Sequence, residues 1–77
     1  MSRGRLPTLT PRKVIQALER AGFVLHRVRG SHRYFVHPDR PDRLVPIPYH
    51  ARDIKRPLLR TIIKQAGLSE QEFLDLL

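Results

Sequence analysis

The sequence predicts an α+β fold of order α-β-β-β-α with a short extra helix at the C-terminal end. Three observations carry that expectation. Two apolar stripes at helical spacing, each entered through a proline, bracket the chain. Two β-rich runs face each other across Gly30-Ser31, and a third run, carrying prolines, follows them. A three-stranded antiparallel sheet with the helices on one face is the natural packing for that order.

Taken in order, residues 1–5 are polar and basic and are expected to form a flexible tail, with residues 6–77 as a single domain. Thr10 and Pro11 mark a helix start: the threonine accepts from a free backbone N–H, and the proline fills a position whose donor has no partner. Val14, Ile15, Leu18 and Ala21 lie on one stripe, and Gly22 stops the helix, which gives a span of about residues 11–21. Phe23 to Arg29 and His32 to His37 are rich in β-branched and aromatic residues, and Gly30-Ser31 suits a hairpin turn. Residues 38–42 read as a loop by composition. Residues 43–48 read as a third strand, placed at a sheet edge because Pro46 has no N–H to give a ladder. Pro57, the stripe Leu58, Leu59, Ile62, Ile63 and Ala66, and then Gly67 outline a second helix. Ser69 and Glu72 form a capping box for a last short helix, from which Phe73, Leu74 and Leu77 can fold back on the core.

Composition narrows the function classes. A chain of 77 residues hides only about 60% of its unfolded surface, so its core is small. No apolar run approaches the roughly 20 residues of a membrane helix, and the start lacks the apolar stretch of a signal peptide, so no membrane partner and a cytoplasmic location are expected. Without cysteine there is no disulfide, thiolate zinc site or thiol nucleophile. The formal net charge is +8, and 12 of the 15 basic residues are arginine, whose planar fork of donors suits phosphate. Residues 1–60 carry 14 basic and 4 acidic residues, whereas residues 61–77 carry one lysine and three acids. A solvated basic face is the plain explanation; an anionic partner accounts for the asymmetry as well.

All four histidines fall within residues 26–50. A two-residue turn at Gly30-Ser31 pairs Arg29 with His32 and Arg27 with Tyr34, and places these four on one face. His26, Arg33, Phe35 and His37 fall on the other, and alternation does not say which face is buried. No metal site and no cofactor is expected, since His32 and His37 have opposite parity and no carboxylate completes a closed set. Serine catalysis fails as well, because adjacent residues on a strand point apart and nothing orients the imidazole.

RNA cleavage asks for less. The 2′-hydroxyl attacks its own phosphate, so an enzyme needs only to move protons and stabilise phosphoryl charge, which a histidine and nearby arginines supply. His32 is the candidate catalytic residue, with Arg27, Arg29, Gly30, Ser31 and Arg33 around the substrate and Tyr34 and His50 as auxiliaries. Lys55, Arg56 and Arg60 flank the start of the second long helix and extend a basic track. The bland alternatives are a histidine that fills a turn end and solvated helix-flank charges. The double-stranded-RNA-binding domain shares the α-β-β-β-α order, so a non-catalytic module that reads RNA shape is the competing function, and a pure protein-interaction partner is a third.

The residues Gly22-Phe23, Arg29-Gly30-Ser31-His32 followed by Phe35, Pro48-Tyr49-His50, and Leu59 to Ser69 together resemble the HicA family. The resemblance covers nearly the whole chain beyond Leu6-Pro7. It implies a toxin of a toxin–antitoxin system with a double-stranded-RNA-binding-like fold. It further implies messenger RNA cleavage that depends on the histidine after the Gly-Ser turn, His32 here, and a HicB-like antitoxin that covers the active face. One departure is Arg56-Pro57, where members often have a basic residue followed by glycine; a proline is well tolerated at a helix start.

Overall fold

Helix α1 (Pro11–Arg20) starts as its capping residues dictate: the Thr10 side chain accepts from the Lys13 N–H at 3.2 Å. It ends one residue before the expected span, with Ala21 as C-cap, and Gly22 (φ +98°) turns the chain into Phe23. This computed structural model describes residues 6–77; the tail expected over residues 1–5 lies outside them.

Strands β1 (Val24–Arg29), β2 (His32–His37) and β3 (Arg40–Pro48) form an antiparallel sheet in the order β1-β2-β3. Gly30 takes φ +59° and Ser31 keeps a negative φ, the glycine-first pattern of a tight hairpin. In a two-residue hairpin the closing pair, Arg29 and His32, exchanges both backbone hydrogen bonds. His32 and Tyr34 therefore bond toward β1, and Arg33 and Phe35 toward β3. Pro48 lies opposite His32 and Pro46 opposite Tyr34, so both proline nitrogens face the free edge of β3, where no donor is needed. The edge position that Pro46 demanded is the one observed.

Two details differ from the sequence-based expectation. The loop expected over residues 38–42 contracts to Pro38-Asp39, because His37 pairs with Arg40 and β3 begins three residues early. Pro41 is tolerated there because residues 41–44 fall in an irregularity of the ladder, between the Arg40–His37 and Val45–Phe35 pairs, where they have no partner on β2. In β1 the ladder runs from Leu25–Phe35 to Arg27–Tyr34, leaving His26 as the extra residue of a bulge. Leu25, rather than His26, thus lies across from Phe35.

Helices α1 and α2 (Arg56–Gln65) cover one face of the sheet and pack chiefly against β3. The core joins Phe35, Val45 and Ile47 of the sheet to Val14, Ala17 and Leu18 of α1, and to Leu59, Ile62 and Ile63 of α2. The lead-in segment adds a contact that periodicity does not show. Leu9 and Ile54 exchange backbone hydrogen bonds, and the Arg56 guanidinium donates to the Leu6 carbonyl at 2.6 Å. Leu6 and Ile54 are buried in consequence, and the starts of both long helices are tied together.

Helix α3 (Glu70–Leu74) carries the expected capping box: Ser69 Oγ accepts from the Glu72 N–H at 3.0 Å, and Glu72 accepts from the Ser69 N–H at 2.7 Å. Phe73 is fully buried, but Leu77 remains 46% exposed because it lies past the last helical turn.

Gly67 ends α2 with φ +76°, and a Cβ there would stand 2.9 Å from Arg40 Nη1. The arginine can swing away, but the left-handed backbone stays. Gly67→Ala is expected to cost about 1 kcal/mol. A lower urea midpoint at unchanged slope is the check.

Candidate active site

The sheet face opposite the helices is open, and β2 sets what it presents. Phe35 points into the core, so by alternation His32 and Tyr34 point out of it. Arg29 is the cross-strand partner of His32, and Arg27 that of Tyr34. Two adjacent rows, Arg29–His32–Pro48 and Arg27–Tyr34–Pro46, therefore tile the turn end of the open face. The hairpin parity read from Gly30-Ser31 places these four side chains correctly, and it does so because the bulge lies beyond them, at His26.

Within this patch the His32 and Tyr34 rings lie 6.4 Å apart, and the Arg27 guanidinium stands 5.4 Å from the Tyr34 ring centroid, within cation–π range. His32 is exposed, and its Nδ1 lies 3.5 Å from Ser31 Oγ, the outer limit of a hydrogen bond, so the serine orients the ring only loosely. Among the described residues, the arginine and lysine side chains form a single ion pair, Arg60 to Glu70 (3.4 Å), while Asp39 Oδ2 lies 3.8 Å from His37 Nδ1. Arg27 and Arg29 thus have no carboxylate partner among them and stand free for an external anion. Among the described residues, no three His, Cys, Asp or Glu side chains gather.

The other sequence-derived positions lie in the turn beside this patch or away from it. Gly30 and Ser31 build the turn that presents His32, and a Cβ at Gly30 would meet nothing within 4 Å, so its glycine serves the backbone rather than a close approach. Arg33 points to the helix side and stacks on Tyr49, its guanidinium 3.6 Å from the ring centroid. Arg56 holds the Leu6 carbonyl, Arg60 pairs with Glu70 on α3, and Lys55 is an exposed N-cap with no side-chain cap bond. His50 is exposed with its ring edge-on to Tyr49 at 5.8 Å.

Tyr49 was not singled out as a site residue, yet it holds the turn end together. Its N–H donates to the Ser31 carbonyl at 2.8 Å, fastening the hairpin turn to the end of β3. The signal available in the sequence was its place between Pro48 and His50, directly after a strand that must end beside the turn.

At the far end of β2, about 17 Å from His32 along the strand, a concavity of about 280 Å³ is lined by Phe23, His37, Arg40, Arg43 and Leu68. His37 there has a structural role, stacking edge-on against Phe23 at 5.4 Å while its Nδ1 accepts from the Asp39 N–H at 3.1 Å. No helix is long and apolar enough to cross a membrane among the described residues.

Residues 11–68 match the family model described as HicA toxin of bacterial toxin-antitoxin. No curated protein matches the chain.

Proposed function

The chain belongs to the HicA toxin family of bacterial toxin–antitoxin systems, and from that premise we propose that it is a metal-independent endoribonuclease acting on messenger RNA through His32. The observation that supports this best is the juxtaposition on the open face: an exposed imidazole, an arginine directly across the ladder, and an arginine–tyrosine stack in the next row.

In the proposed reaction the ribose 2′-oxygen attacks the adjacent phosphorus, and the bond to the 5′-oxygen breaks. One proton leaves the 2′-hydroxyl and one reaches the departing oxygen. His32, at the turn end of β2, carries out one of these transfers. Arg29, directly across the ladder from it, and Arg27, in the next row, offer donors to the phosphoryl oxygens as charge builds there. Tyr34 gives a flat surface on which a base can stack, and Arg27 pre-organises that ring. Arg33, Arg56 and Arg60, engaged elsewhere, add to the attractive field, and exposed Lys55 prolongs it past the turn.

The test is incubation of purified protein with labelled single-stranded RNA in excess EDTA. Cleavage leaving cyclic phosphate and 5′-hydroxyl ends is the expected result. Salt-sensitive binding without cleavage would instead favour the non-catalytic RNA-binding module. Arg27→Ala and Arg29→Ala are each expected to reduce the slope of log affinity against log salt by about 0.7 for a single strand, reflecting one lost phosphate contact.

A further inference from the structure

Every residue of β1 is exposed, although the strand forms one side of the sheet. Val24, Leu25 and Val28 are 49%, 47% and 57% exposed and supply half of the large apolar side chains left in solvent among the described residues. Leu25 and Val28 lie across from Phe35 and Arg33, on the helix side, yet both long helices sit over β3 and leave that side of β1 bare. Its outer edge is also unpaired among the described residues. Hairpin parity directs the Val28 N–H and C=O away from β2, so a donor, an acceptor and two aliphatic side chains meet at one open edge.

We propose that β1 is the docking edge for the antitoxin, which adds an extended segment of acidic and apolar residues alongside it. The inference rests on the antitoxin that family membership implies and not on RNA cleavage. Main-chain pairing to an exposed sheet edge gives affinity, and alternate side chains give specificity. Apolar residues of the added strand would cover Leu25 and Val28, and acidic ones would meet Arg27 and Arg29 on the other side of the same strand. The charge selects this occupant over a second copy of the chain, since two copies at +8 each would repel across that edge. The site also suggests how inhibition works: a strand on β1 lies beside the arginines that flank His32, so the partner's bulk reaches the RNA face.

The experiment uses a HicB-like antitoxin that neutralises the toxin, co-expressed with it and purified as the complex. Hydrogen exchange on the unsubstituted complex is expected to show the Val28 amide protected relative to the free toxin. Leu25→Thr with Val28→Thr keeps strand propensity and charge while removing the apolar contact, and should weaken binding by on the order of 10- to 100-fold. Thermal unfolding and RNA turnover of this free double variant should match the parent. Protection confined to other elements, or affinity of the double variant within about twofold of the parent, would overturn the proposal. A free toxin that sediments as a dimer, and becomes monomeric in the double variant, would overturn it in favour of a second copy. Because these readouts are binding and exchange, an inactive ribonuclease would leave them interpretable.

Discussion

His32→Ala is expected to slow RNA cleavage by about 10²–10⁴-fold, the usual cost of losing a positioned acid–base group, with little change in stability. Both halves follow from position. The imidazole is exposed on the open face, touches no core residue, and has only a 3.5 Å approach from Ser31 Oγ, so its removal opens no cavity. The turn that presents it is set by Gly30 and by the Tyr49 N–H bond to Ser31, neither of which depends on the ring. RNA affinity should fall much less than turnover, because the arginines across the ladder remain. The measurement is single-turnover cleavage beside an equilibrium binding titration. A folded variant that cuts at the parental rate would remove His32 from the mechanism.

Phe73→Ala is expected to cost about 3–5 kcal/mol. Phe73 is fully buried, yet it sits on a helix of five residues, too short to persist by itself. Its ring is the fully buried anchor of α3, with Leu74 and Leu76 packed beside it and Arg20 donating to the Leu76 carbonyl at 2.6 Å, while the capping box at Ser69 fixes only the helix start. Losing the ring leaves a cavity and releases the segment that carries Glu70, the partner of Arg60. Small domains hold only about 5–15 kcal/mol in total. Urea denaturation should show a sharply lower midpoint, and Ser69→Ala, at about 1 kcal/mol, gives the scale for loss of the cap alone.

The elements that the sequence announced were those with strong local chemistry. Thr10-Pro11, Gly22, Gly30-Ser31, Gly67 and Ser69-Glu72 each act within a few residues, and each appears in the fold in the role expected of it. The same holds for His32, Tyr34, Arg27 and Arg29 sharing a face, since a two-residue turn fixes parity close to itself. What escaped depends on long-range pairing. The bulge at His26 shifts β1 relative to β2 only four residues from the turn, and no local residue preference signals it. Pro41 and Asp42 read as loop residues, and they sit in β3 only within the irregular stretch between the Arg40–His37 and Val45–Phe35 pairs, which no local preference signals. The Leu9–Ile54 pairing and the Arg56–Leu6 bond join positions about 45 to 50 apart in sequence, beyond any periodicity window. The contact that Arg56 makes with the Leu6 carbonyl is of this long-range kind, whereas Arg60 meets Glu70 only ten positions on, across the turn between the last two helices.

The two prolines whose nitrogens point outward from β3 have a consequence for assembly. A sheet that recruits strands at both margins can grow without limit, as fibres do. Here Pro46 and Pro48 strip the outer margin of β3 of two donors, while the margin of β1 keeps its own. The two margins are therefore unequal along the hydrogen-bonding direction: a strand received at β1 finds a poorer ladder at β3 on which to pass the pairing on. For a small chain that leaves three large aliphatic residues of one strand in water, such a donor-poor margin limits self-propagating aggregation while the other margin stays open.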